Sequence, residues 1–169
     1  MDCELDTRAR RLGAALCARG WLLATAESCT GGWVAEAVTS IGGSSTWFER
    51  GYVTYSNRAK QEMLGVAAAT LAEHGAVSLP VVREMLAGAL ANAPADLAVA
   101  VSGVAGPSGG TPDKPVGMVC VAWGARGQPA EAALMHFAGD REAVRRQTVL
   151  FVLETLADYC ARGRSMRSA

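Results

Sequence analysis

Leu5, Ala9, Leu12 and Leu16 recur at helical spacing in a charged segment, and Gly20 follows as a stop. Trp21 to Ala26 then reads as a buried strand that ends at Glu27-Ser28-Cys29-Thr30-Gly31-Gly32. Val34, Ala37, Val38 and Ile41 form one face of a second helix, halted by Gly42-Gly43. The β-branched and aromatic run Tyr52 to Tyr55 predicts a second strand. Asn57 is a suitable N-cap for a helix through Leu64, and a short helix follows around Ala67 to Glu73. Ser78 caps the next helix, with Pro80 in its first turn and Val82, Met85, Leu86, Ala89 and Leu90 facing inward.

Leu97 to Val101 predicts a third strand, followed by a glycine- and proline-rich loop from Gly103 to Gly117. Met118 to Trp123 and Ala132 to Phe137 predict two more, joined by a turn near Gly124 to Gln128. Asp140 caps a last long helix that turns Val144, Thr148, Phe151, Val152 and Leu156 inward. Strands separated by helices require parallel crossovers, whereas the close final pair requires an antiparallel hairpin. The expected fold is α/β: one three-layer α/β/α domain over residues 1–161 with a mixed, partly parallel sheet. A basic tail over 162–169 is expected to be disordered.

Composition narrows the function classes. Half of the 169 residues are hydrophobic, and 16 basic residues balance 16 acidic ones, so no net field draws the chain to nucleic acid or membrane. No apolar run reaches the roughly 20 residues that span a bilayer. The charged first residues do not form a signal peptide. Five scattered cysteines give neither a disulfide frame nor metal-ligand spacing, which fits a cytoplasmic protein without a metal or other cofactor.

The densest chemistry lies at the end of the first strand. There Ser28 should sit at the carboxyl edge of the sheet, where open α/β folds bind ligands. The N–H groups of Thr30 to Gly32 would offer an anion or oxyanion site. A right-handed crossover makes the second strand parallel to the first, so Tyr55 to Lys60 should lie beside Ser28. Lys60, three residues after the expected cap, would stand in a first helical turn, where the dipole disfavours its charge and lowers its pKa. Ser28 as nucleophile and Lys60 as base form a coherent dyad.

Each feature also has an ordinary reading: a capped strand–helix turn and a solvated surface lysine. His74, at a helix end, and His136, in a strand, are not predictably near Ser28, so a Ser-His-Asp triad is disfavoured. Cys29 could share the helix end as a rival nucleophile, although such a cysteine is more often a small buried residue. Gly42-Gly43-Ser44-Ser45 resembles a motif of a different serine–lysine amidase class, so Ser45 is a second candidate, although topology puts it at the far sheet edge. Ser102-Gly103-Val104-Ala105-Gly106-Pro107 repeats the pattern of a strand end followed by small residues. Gly139-Asp140-Arg141 sets an arginine at a helix start suited to phosphate.

Taken with Gly75-Ala76-Val77-Ser78 and Lys114-Pro115-Val116-Gly117, these segments in this order closely resemble the CinA C-terminal-domain family. These are the competence- and damage-inducible protein homologues, and within them the match is to the stand-alone nicotinamide-nucleotide amidohydrolases. The resemblance runs roughly from Leu5 to Leu156. It implies hydrolysis of nicotinamide mononucleotide to nicotinate mononucleotide and ammonia, in pyridine-nucleotide recycling, by a serine–lysine dyad without metal. The lysine is then Lys60, the serine Ser28 or Ser45, and Tyr55 orients the dyad or the amide. The nucleotide is expected at Glu27, Thr30, Gly31, Gly32, Asn57, Ser102, Gly103, Gly106 and Arg141. A homodimer is implied as well. The alternative is a non-catalytic nucleotide-binding or protein-interaction module of the competence type.

Overall fold

The computed structural model describes residues 2–162. Six helices and five strands follow in the order α1 (Cys3–Cys17), β1 (Leu23–Glu27), α2 (Trp33–Thr39), β2 (Phe48–Val53), α3 (Asn57–Leu64), α4 (Ala68–His74), α5 (Leu79–Asn92), β3 (Leu97–Gly103), β4 (Met118–Ala125), β5 (Glu131–His136) and α6 (Arg141–Arg162). A single 3-10 turn, Ser44–Thr46, precedes β2. The sheet order is β2-β1-β3-β4-β5. β1 runs parallel to both neighbours, and β3-β4 and β4-β5 are antiparallel. The expected mixed sheet between two helical layers is therefore present. Arg162 closes α6 rather than opening the tail, and the rest of that tail lies outside the described residues.

Strand alternation divides the core in two. Leu23, Leu97, Val99, Val101, Val119 and Val121 point to the layer of α1, α2 and α6, where Leu12, Leu16, Val34, Val38, Leu153 and Leu156 meet them. Ala24, Ala26, Ala98, Ala100 and Ala122 point to the other layer, against Val82, Met85, Leu86 and Ala89 of α5 and Leu64 of α3. The alanine-lined face carries little volume, so α5 packs close to the sheet.

Three boundaries differ from expectation in ways that matter. β1 extends through Glu27 and so brings that carboxylate into the sheet. β2 starts at Phe48 and stops at Val53, which leaves Thr54 and Tyr55 beyond its end. The α3 cap is Ser56, not Asn57: its Oγ accepts from the Ala59 N–H. Asn57 becomes the first helical residue and is exposed.

The chain leaves β1 toward β2 on one side, while β3 takes the other. The crevice beyond the carboxyl ends of β1 and β3 is thus the topological switch point, the usual ligand position in an open α/β sheet. Among the described residues no helix is long and apolar enough to cross a membrane.

Candidate active site

Two adjacent glycines with positive φ, Gly31 at 60° and Gly32 at 94°, turn the chain from β1 into α2. This turn holds Ser28 at the crevice. Its N–H donates to Val101 O, and its carbonyl accepts from the Gly31 N–H. Glu27, 1% exposed, folds beneath the turn and accepts from the N–H groups of Gly32, Val34 and Ala35 at 2.9–3.1 Å. Its charge meets the positive end of α2 and both oxygens are used.

Two expectations are corrected by these bonds. Glu27 supports the turn from beneath instead of meeting a ligand. The Gly31 and Gly32 N–H groups are spent inside the protein, whereas the amides of Cys29 and Thr30 have no acceptor among the described residues. Of those two, only Cys29 lines the cavity, so its N–H is the candidate oxyanion donor.

Lys60 is 1% exposed, one turn into α3. Its Nζ lies 3.0 Å from Ser28 Oγ, 2.9 Å from Thr54 O and 3.2 Å from Tyr55 O. No carboxylate pairs with it among the described residues. A neutral amine fits this arrangement: two N–H bonds go to the two carbonyls and the lone pair receives the Ser28 hydroxyl proton. The ammonium fits as well, with three donors for three acceptors.

Burial holds the Lys60 pKa below the ordinary 10.5. The helix dipole pushes the same way but is worth at most about 1 kcal/mol at an ordinary helix end, so desolvation dominates. The one opposing influence is charge on Cys29, and that thiol is itself pushed up to about 12 by burial. Near neutral pH Cys29 is uncharged. It neither restores the lysine's proton nor competes as a thiolate nucleophile.

Ser28, Cys29, Tyr55, Lys60, Ala76, Val77, Ser102, Gly103, Ala105 and Arg141 enclose a cavity of about 190 Å³. That is below the roughly 300–1,000 Å³ of pockets that hold a whole ligand, and suits one planar group. Arg141 forms its gate, donating to Gly106 O at 2.8 Å and to Tyr55 Oη at 3.1 Å. Beyond it lies a cavity of about 550 Å³ lined by Ala105, Pro107, Val116, Gly139, Asp140, Arg141 and Glu142.

Residues 5–160 match the CinA C-terminal domain. The chain belongs to that family. It is 57% identical over 155 residues to the nicotinamide-nucleotide amidohydrolase PncC of Escherichia coli strain K12, covering 92% of this chain and 94% of that one. It is 54% identical to the protein of the same name from Pseudomonas putida, over 90% of this chain and 94% of the other. Among solved structures, the competence/damage inducible protein CihA from Agrobacterium tumefaciens superposes with a TM-score of 0.91 at 43% identity, covering 94% and 96% of the two chains.

Within this CinA fold, Ser28, Tyr55, Lys60, Ser102, Gly103 and Arg141 come together, and Gly106 joins through its bond to Arg141. Ser45 does not. It is exposed in the 3-10 turn, next to Trp47, whose carbonyl accepts from the N–H of Leu23 at the amino end of β1. Asn57, Thr30, Gly31 and Gly32 do not line the cavity, nor do His74 and His136.

Arg145 was not singled out in the sequence. Its guanidinium donates to Cys29 O and Thr30 O and lies over the Trp33 ring, so it clamps the Ser28 turn from α6. The available signal was a second arginine four residues after Arg141, again near a helix start where cations are disfavoured. Ala76 and Val77, which the sequence marks only through the family resemblance, close the cavity from the α4–α5 connection.

Proposed function

We propose that this chain is a nicotinamide-nucleotide amidohydrolase that converts nicotinamide mononucleotide to nicotinate mononucleotide and ammonia with Ser28 as nucleophile and Lys60 as base. The observation that carries the mechanism is the buried, unpaired Lys60 amine 3.0 Å from Ser28 Oγ. The substrate follows from the names of the relatives.

Ser28 Oγ attacks the carboxamide carbon as its proton passes to Lys60 Nζ, and the carbonyl electrons move to the oxygen. The Cys29 N–H faces that developing charge. Lys60 then returns the proton to the amide nitrogen, the C–N bond breaks and ammonia leaves. Water attacks the Ser28 ester and yields a proton to Lys60. The ester C–O bond breaks and Ser28 Oγ recovers that proton, leaving the acid.

Thr54 O and Tyr55 O hold Nζ in place in both protonation states. The planar nicotinamide occupies the smaller cavity. The ribose phosphate extends past Arg141, whose guanidinium binds the 5′-phosphate.

The homodimer and the cytoplasmic setting belong to the same proposal. β2 and β5 are both edge strands and expose Val53 and Leu134, which favours association.

The deciding measurement is ammonia release by the purified chain from nicotinamide mononucleotide. Turnover is expected with the nucleotide and far less with free nicotinamide, which lacks the phosphate contact. A folded protein that binds the nucleotide but releases no ammonia would make it a binding module.

A further inference from the structure

Beside Ser28 lies a second buried serine. β1 and β3 pair in parallel with Glu27 opposite Val101, and the Ser28 N–H continues the ladder to Val101 O. Ser28 and Ser102 are therefore neighbours across the two strands. By alternation both side chains leave on the alanine-lined face, the face that also receives Lys60.

Ser102 is 1% exposed and lines the catalytic cavity, and its hydroxyl has no hydrogen-bond partner among the described residues. The hydroxyls of Thr25, Thr30 and Thr54 are also unpartnered but are sealed in protein. That of Ser102 opens on the cavity, so a ligand can relieve its desolvation.

A carboxamide entering this cavity brings two N–H donors that lose their water. Three lining side chains carry an oxygen that can accept: Ser28, Tyr55 and Ser102. Ser28 Oγ is committed to the carbonyl carbon, and Tyr55 Oη already accepts from Arg141. Ser102 Oγ is the side-chain acceptor left over.

We propose that Ser102 reads the leaving group: its Oγ accepts an N–H of the substrate amide, which makes the site selective for carboxamides over esters. The proposal rests on the Ser28–Lys60 reading given above. After attack, the nitrogen becomes tetrahedral with two N–H bonds and a lone pair. Pinning one N–H on Ser102 restricts rotation about the C–N bond and turns the lone pair toward Lys60, which protonates it before the bond breaks. An ester offers no N–H and gains nothing from this contact.

The test compares hydrolysis of nicotinamide mononucleotide with that of the carboxylate methyl ester of nicotinate mononucleotide. Ser102→Ala should lower kcat/KM for the amide by about tenfold to hundredfold, the usual loss for one hydrogen bond of this kind. The ester should change by less than about threefold. Ser102→Cys keeps the volume and weakens the acceptor, so it should shift the amide-to-ester ratio the same way and decides the matter if the alanine variant does not fold. Equal losses on both substrates, or an unchanged amide rate, would overturn the role of Ser102 and leave the dyad intact. A wild-type protein inert toward both substrates would instead remove the dyad, and this proposal with it.

Discussion

Two turns in this molecule have similar sequences and different surroundings. Glu27-Ser28-Cys29-Thr30-Gly31-Gly32 and Gly42-Gly43-Ser44-Ser45-Thr46 each combine serine with paired glycines beside a helix. The first follows β1 at the carboxyl edge of the sheet, is buried, and meets Lys60, Ser102 and Arg141 around one cavity. The second precedes β2 at the opposite edge and leaves Ser45 in solvent. Composition does not separate the two serines here. Position relative to the switch point does, because that edge gathers the ends of three parallel strands and the loops that follow them.

The sharpest way to break this comparison is to truncate each serine. Ser28→Ala should reduce kcat for ammonia release by at least about 10⁴-fold, as expected when a covalent nucleophile is lost. Ser45→Ala should stay within about threefold, like other exposed substitutions. Trapping the acyl-enzyme and mapping the adduct checks both, and an adduct on Ser45 would reverse the assignment.

Lys60→Met comes next, with kcat lowered at least about a hundredfold, the size of a general-base contribution. Wild-type kcat/KM should rise with pH through the lowered Lys60 pKa, since the proposed base is the neutral amine. Stability follows the same sign. With its folded pKa lowered, Lys60 binds fewer protons in the native state than in the unfolded chain, so unfolding free energy rises with pH within the window below 10.5. Between about pH 7 and 8, before the buried thiols with their raised pKa values pull the other way near the ordinary cysteine value of 9.0, denaturant titrations should show a steeper rise in the wild type than in Lys60→Met. Identical slopes would mean that Lys60 is not the proton-linked group.

Arg141→Ala should raise KM for the mononucleotide about tenfold with kcat nearly unchanged, since the proposed phosphate contact at the gate is distant from the bond that breaks. Steady-state kinetics decide this, and a pure kcat effect would relocate the phosphate.

Glu27→Gln should act on stability more than on rate. It replaces a carboxylate that accepts three backbone N–H bonds with an amide offering a single acceptor oxygen, and should cost about 1–3 kcal/mol of stability. A thermal melt and the residual rate together separate support of the turn from contact with substrate.

Much of the architecture is legible in the sequence. The five strands appeared in order, and the parallel half and the antiparallel hairpin followed from connection lengths. β2 was the poorest reading, because Phe48-Glu49-Arg50-Gly51 mixes charge and glycine on a half-exposed edge strand. What makes it a strand is pairing with β1, where Gly51 lies so close to Thr25 and Ala35 that a Cβ would meet Thr25 Oγ1 at 2.9 Å. The α3 cap moved from Asn57 to Ser56 because both residues are good caps, and the end of β2 decided between them.

The residues by themselves determined the order of elements, the buried faces and the arrival of a Ser-Cys-Thr-Gly-Gly turn at a strand end. Those are local matters of periodicity, turn chemistry and capping. The tertiary structure alone decided that Lys60 reaches Ser28 across 32 positions and that Glu27 turns inward to the α2 amides. It also decided that Ser102 stands beside Ser28 while Ser45 does not. A lowered lysine pKa, a sealed carboxylate and an unpartnered hydroxyl are consequences of burial, and burial is set by what packs from elsewhere in the chain.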